Sequence, residues 1–204
     1  MFTLFTALNN SWCPFFFFFM KQGNRENLRE KAGNFLELFT VLSVGFVLLA
    51  SEVYRYVYVS RDFWGSTMLI PIFVSSYYTN FLCTFPVNFE YYHKKTKVVS
   101  IITIVSSLIN VGLNYLLILR IGMAGAAVAT LISHSLQLTL HYLYVRFALG
   151  GKEYPFPLKM WVGYAAVFAA VAVASVAADG LWLARWGLGA AVGLLPRQGA
   201  VRVV

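Results

Sequence analysis

The chain alternates long apolar runs with short polar clusters, and that alternation is its main structural signal. Five runs, residues 35–58, 68–89, 98–119, 123–147 and 158–178, reach the roughly 20 residues a helix needs to cross a bilayer. None alternates apolar with polar positions at period two, and all exceed the length of a barrel strand, so membrane strands are a poor alternative. A sixth run, 180–195, is shorter and carries Arg185, which leaves its crossing open. Ahead of them all, residues 1–20 include the run Phe15, Phe16, Phe17, Phe18, Phe19, interrupted upstream by Asn9, Asn10, Ser11 and Pro14. No base precedes Lys21, the wrong polarity for a secretory signal, so this stretch reads as the last part of a membrane helix. The pattern predicts an all-α membrane protein: a bundle of about six transmembrane helices plus an N-terminal partial helix. Its sections are the helix remnant 1–20, a basic cytoplasmic linker 21–34, a four-helix part 35–150, one or two Ala/Gly/Val-rich membrane helices in 151–195, and an irregular tail 196–204.

Composition agrees with this picture. Hydrophobic residues make up 59% of the 204 positions and charged ones only 12%, about half the share of a soluble domain; mean hydropathy is +0.69. The net charge of +8 would suggest nucleic acid in a soluble chain, but the bases cluster between apolar runs instead of along one polar face, so no nucleic-acid partner is expected. Charge instead sets orientation. With Lys21–Lys31 placed in the cytoplasm, twelve of the sixteen Lys and Arg fall on that side and four (Arg55, Arg61, Arg120 and Arg185) on the other. Cys13 and Cys83 match no metal or redox spacing and read as packing residues.

Polar groups within spans are the candidates for chemistry, because each is costly in hydrocarbon. Glu52 and Arg55, three residues apart, share one helix face near the outer end of their span and are expected to pair or to line a polar cavity. Glu37, at the inner end of the same span, reads as an interfacial charge. His134, Gln137 and His141 form one polar stripe on the fourth long helix, with the two histidines about 10 Å apart along the axis, too far to share a metal. Asn110 and Asn114 sit four apart on the preceding helix. These five side chains are expected to hydrogen-bond between helices or to line a cavity. Gly122, Gly125, Ala126 and Ala129 form a small-residue pattern that predicts a tight antiparallel hairpin. No phosphate loop, HExxH or GxSxG is present, no carboxylate lies near the middle of a span, and nothing suggests covalent catalysis.

Taken in order, LNNSWCPFFFFFMKQGN, LASEVYRYVY, FPVNFEYYHKKTK and, most specifically, the run from Asn110 to Thr130 that contains NVGLNYLLILRIGMAGAAVAT resemble the C-terminal lobe of the polysaccharide flippases of the multidrug/oligosaccharidyl-lipid/polysaccharide exporter superfamily. The resemblance covers residues 5–150 and extends beyond them by hydropathy alone. It implies a chain that needs a first lobe or a partner chain and that moves undecaprenyl-diphosphate-linked oligosaccharides across the bacterial cytoplasmic membrane by alternating access. It also implies no cofactor, with an ion gradient or the membrane potential as the source of drive. A drug/cation antiporter of the same superfamily and a nonfunctional fragment or membrane interaction subunit remain the alternatives. The antiporter is disfavoured at this level by the want of a buried carboxylate.

Overall fold

A computed structural model describes residues 2–57, 69–150 and 154–177, and among them the fold is helical throughout. The order is α1 (Phe2–Gln22), α2 (Arg25–Val57), α3 (Leu69–Tyr92), α4 (Thr96–Ile121), α5 (Met123–Phe147) and α6 (Leu158–Ala177). The five long spans and the leading partial helix all appear as helices; residues 180–195 and the tail lie outside the described residues. Three helices, α2, α4 and α5, are long and apolar enough to cross a membrane. The protein is an all-α membrane protein.

One boundary differs from the sequence expectation. Residues 21–34 are not a linker: α1 runs through Lys21 to Gln22, and α2 begins at Arg25. The turn takes two residues. Gly23 adopts φ +69°, a region open to glycine at little cost, and the side chain of Asn24 caps α2 by accepting the Asn27 amide at 3.2 Å. Glu37 therefore lies well inside a 33-residue helix and is half-buried, not at a helix end. Basic character was mistaken for loop because charge marks the membrane boundary, whereas a helix can continue through that boundary.

α2 shows how the bundle buries one face. Leu28, Ala32, Leu36, Phe39, Ser43 and Val47 recur at helical spacing and are all buried, while Val41, Leu42, Phe46 and Leu49 stay exposed. The exposed side is as apolar as the buried one, as lipid requires. α1 divides its phenylalanines in the same way: Phe16 is buried, whereas Phe15 and Phe18 face outward.

At the centre is α3, which packs against each of the other five helices. Protein surrounds it, so it can carry Ser75, Ser76 and Thr79, whose hydroxyls bond to the Pro71 carbonyl, to His134 and to the Ser75 carbonyl instead of meeting lipid. Aromatic contacts tie it to its neighbours. Phe39 of α2 stacks on Phe81 with centroids 3.8 Å apart, and Tyr78 stacks on Phe168 of α6 at 4.4 Å. Trp12 of α1 lies over Phe35 of α2 at 5.0 Å.

α4 and α5 form the expected hairpin, joined by the single residue Gly122 at φ +63°. The close approach occurs at Gly125, where a Cβ would overlap the Leu117 carbonyl and fall 2.8 Å from the Ile118 nitrogen. Gly125, Ala129 and Ser133, spaced by four, are buried, whereas Gly122 is exposed and Ala126 is partly so. The small-residue contact thus runs through Gly125 and Ala129, one register of the two that the spacing allowed.

Gly125→Ala is expected to destabilise the protein by about 1–3 kcal/mol, because backbone must move to admit the methyl group. Gly112→Ala, also in a helix but with nothing within 4 Å of the added Cβ, is expected to be neutral or to stabilise by up to about 1 kcal/mol. Unfolding midpoints in detergent compare the two; equal stabilities would refute the close approach.

Candidate functional site

α5 carries polar side chains on two faces, and its two neighbours receive them separately. His134 and His141, seven residues apart, lie nearly on one line of the helix, while Gln137 is turned away by about 60°. His134 Nδ1 is 3.0 Å from the Ser76 carbonyl oxygen, which can only accept, and 2.8 Å from Ser76 Oγ. His141 Nδ1 reaches both carboxylate oxygens of Glu90, at 2.9 and 3.0 Å. Both histidines therefore bond to α3. Gln137 turns the other way and donates to Thr103 Oγ1 of α4 at 3.4 Å. The single stripe expected from spacing is divided between two interfaces.

On α4, Asn110 donates to Ser133 Oγ of α5 at 3.1 Å, and Ser133 donates onward to the Ala129 carbonyl at 2.8 Å. Asn114 donates to the carbonyl and the side-chain oxygen of Asn110 at 2.9 and 3.0 Å. Asn110 closes the hairpin, the interhelical role expected for it, whereas Asn114 stays within α4 and braces Asn110. Glu52 and Arg55 occupy the last turns of α2, and their side chains are outside the described residues.

Glu90 overturns the expectation that no buried carboxylate is present. Its side chain and that of His141 are both fully buried. A carboxylate can only accept, so His141 Nδ1 is the donor, and its hydrogen is shared between two oxygens. In the sequence Glu90 stands at the end of an apolar run, four residues before Lys94. The signal that could have found it was His141, a polar group on an apolar helix that required a partner.

Around this pair the end of α3, the end of α5 and residues 154–161 build an aromatic enclosure. Tyr154 meets Phe89 edge-on at 5.1 Å and Trp161 at 5.8 Å, and Tyr142 meets Trp161 at 5.5 Å. Burial raises the Tyr154 phenol well above its ordinary range, with Cys83, Tyr142 and Glu90 adding to the effect, so it stays protonated as a donor. His141 Nε2, the Tyr154 hydroxyl and Trp161 Nε1 are buried and have no hydrogen-bond partner among the described residues. With Nδ1 as the donor, His141 Nε2 is left to accept, so the enclosure offers two donors, Tyr154 and Trp161, beside an acceptor nitrogen and one carboxylate. Such a set can order a small polar group.

The chain matches no family model and no curated protein.

Removing His141 leaves the enclosed Glu90 side chain without its partner, so His141→Ala is expected to cost about 3–5 kcal/mol of stability. Glu90→Met combined with His141→Leu is expected to recover most of that loss, because the pair is then replaced by apolar volume. A double-mutant cycle in detergent measures the coupling. Additive losses would show that the two side chains do not depend on each other.

Proposed function

We propose that the chain is a lobe of an alternating-access flippase that moves undecaprenyl-diphosphate-linked oligosaccharides for polysaccharide or lipopolysaccharide export across the bacterial cytoplasmic membrane. The observation that supports this reading is the role of the residues on which the resemblance rests. Within Asn110–Thr130, Asn110 donates across the α4–α5 hairpin to Ser133 and is braced by Asn114, Gly122 forms its one-residue link, and Gly125 admits the α4 backbone. The similarity thus falls on the residues that shape a hairpin, where a shared fold would leave its trace. A hairpin of this kind does not identify the cargo; the cargo is carried over from the resemblance.

The bundle suits the task. The ends of α1 and α3 meet where Tyr92 donates to the Met20 carbonyl at 3.4 Å, and the ends of α3 and α5 meet at Glu90 and His141. Lys21, Lys94, Lys95, Lys97 and Arg146 are therefore gathered at one end, taken as the cytoplasmic end, where an anionic diphosphate carrier is loaded. The buried Glu90 favours a second reading, a drug/cation antiporter of the same superfamily, since an enclosed carboxylate is the group such coupling uses.

Complementation distinguishes them. Expression with a complementary first lobe in a flippase-deficient bacterium is expected to restore surface polysaccharide and to lower the accumulated lipid-linked precursor. Raised drug tolerance without restored polysaccharide would assign the antiporter instead. Neither effect at normal membrane abundance would leave an interaction subunit or a nonfunctional fragment. For orientation, Lys95→Cys in a background with Cys13 and Cys83 replaced by serine is expected to escape an impermeant maleimide in intact cells and to react after lysis. Labelling from outside would reverse the topology.

A further inference from the structure

The polar residues of α4 lie in an ordered way that the hairpin does not use up. Thr96, Ser100, Thr103, Ser107, Asn110 and Asn114 follow one another at intervals of three and four. At 100° per residue they fall within a sector of about 80°, and at 1.5 Å per residue they extend over about 27 Å. That length nearly equals the roughly 30 Å hydrocarbon core. The first four are exposed and the two asparagines are half-buried, on a spanning helix of which only 6% is buried. A polar line of this length is at odds with lipid and belongs against a wet or polar surface.

Its hydroxyls play mixed parts. Ser100 and Ser107 donate inward to the Thr96 and Thr103 carbonyls at 3.1 and 2.8 Å and leave lone pairs outward, whereas Thr103 accepts from Gln137 and keeps its own proton to donate. The fitting occupant is rich in hydroxyls, which both donate and accept, and is uncharged along its length.

At the foot of the line stand Lys94, Lys95 and Lys97, all exposed, and among the described residues none of them forms an ion pair. Lys94 is held at φ +58°, the only non-glycine with positive φ among the described residues. The cause is local. α3 ends in a turn where the Lys95 amide bonds to the Glu90 carbonyl and the Lys94 amide to that of Tyr91, both at 2.9 Å. That pattern calls for a left-handed residue at position 94, ordinarily glycine. A lysine there is a strained choice, and strain of this kind gathers where a side chain serves function.

We propose that the three-lysine foot and the polar line of α4 together form the track for the head of a lipid-linked saccharide, the lysines taking the diphosphate and the line taking the sugar hydroxyls. This deepens the flippase reading and rests on it. The probe is a short-chain polyprenyl diphosphate carrying a disaccharide, titrated onto the purified chain in detergent, beside the same diphosphate without sugar and phosphatidylglycerol. Replacing all three lysines by glutamine is expected to weaken both diphosphate ligands by roughly tenfold or more. Ser100→Ala with Thr103→Val and Ser107→Ala is expected to weaken the sugar-bearing ligand alone. Lys94→Gly is expected to raise the melting temperature by about 2–4 °C while weakening both diphosphate ligands, a split that a merely structural lysine would not produce. Unchanged affinity in these variants, with the wild type still binding the probe, would overturn the track and leave the flippase reading standing. No binding of the probe by the wild type would overturn the track, the flippase reading being decided by complementation with a first lobe, and equal binding of phosphatidylglycerol would assign the lysines to the membrane surface.

Discussion

A carboxylate enclosed by a helix bundle must find a donor, and the arrangement of α3, α4 and α5 depends on how Glu90 finds one. Its side chain takes His141 of α5, and its carbonyl takes the Lys95 amide and so closes the turn into α4. One residue thus fixes where α3 stops and at what height α5 stands beside it. A slip of α5 by one residue would turn His141 by about 100° and leave the carboxylate unpaired in an apolar surround. His134 repeats the constraint two turns away on Ser76. Apolar packing alone would tolerate more than one register; the paired polar groups do not.

The other side of α5 is governed by sterics. Backbone approaches backbone at Gly125, and dispersion between closely packed atoms supplies the attraction that lipid, being equally apolar, cannot. α5 therefore uses polar pairing against both neighbours and adds a small-residue contact against α4 alone. α3 follows a third rule. Enclosed by five neighbours, it exchanges lipid-compatible side chains for aromatic stacks and hydroxyls, among them Tyr78, whose hydroxyl lies 2.8 Å from Thr40 Oγ1 of α2.

The enclosure of Tyr142, Tyr154 and Trp161 keeps the fully buried Glu90–His141 pair away from solvent. An enclosed polar pair and a backbone contact at Gly125 thus hold different sides of one helix.

Much of this was legible in the sequence, because lipid imposes a length on every spanning helix and forbids unpaired backbone within it. The five long helices, three of them apolar enough to cross a membrane, and the hairpin at Gly122 follow from that constraint. Asn110 was also recognisable as an interhelical donor, since a side-chain amide in hydrocarbon has little else to do. What the chain could not declare by itself was pairing between distant segments. Glu90 and His141 are 51 residues apart, and nothing in the spacing of either helix says which faces meet. Nor could spacing choose Gly125 over Ala126, because both belong to small-residue pairs four apart and only the rotation of α5 against α4 decides between them. The sequence by itself determined which segments are helices and how they alternate, since that depends on local apolarity. Only the tertiary structure decided which polar groups are enclosed together, since that depends on the rotation and height of each helix against its neighbours.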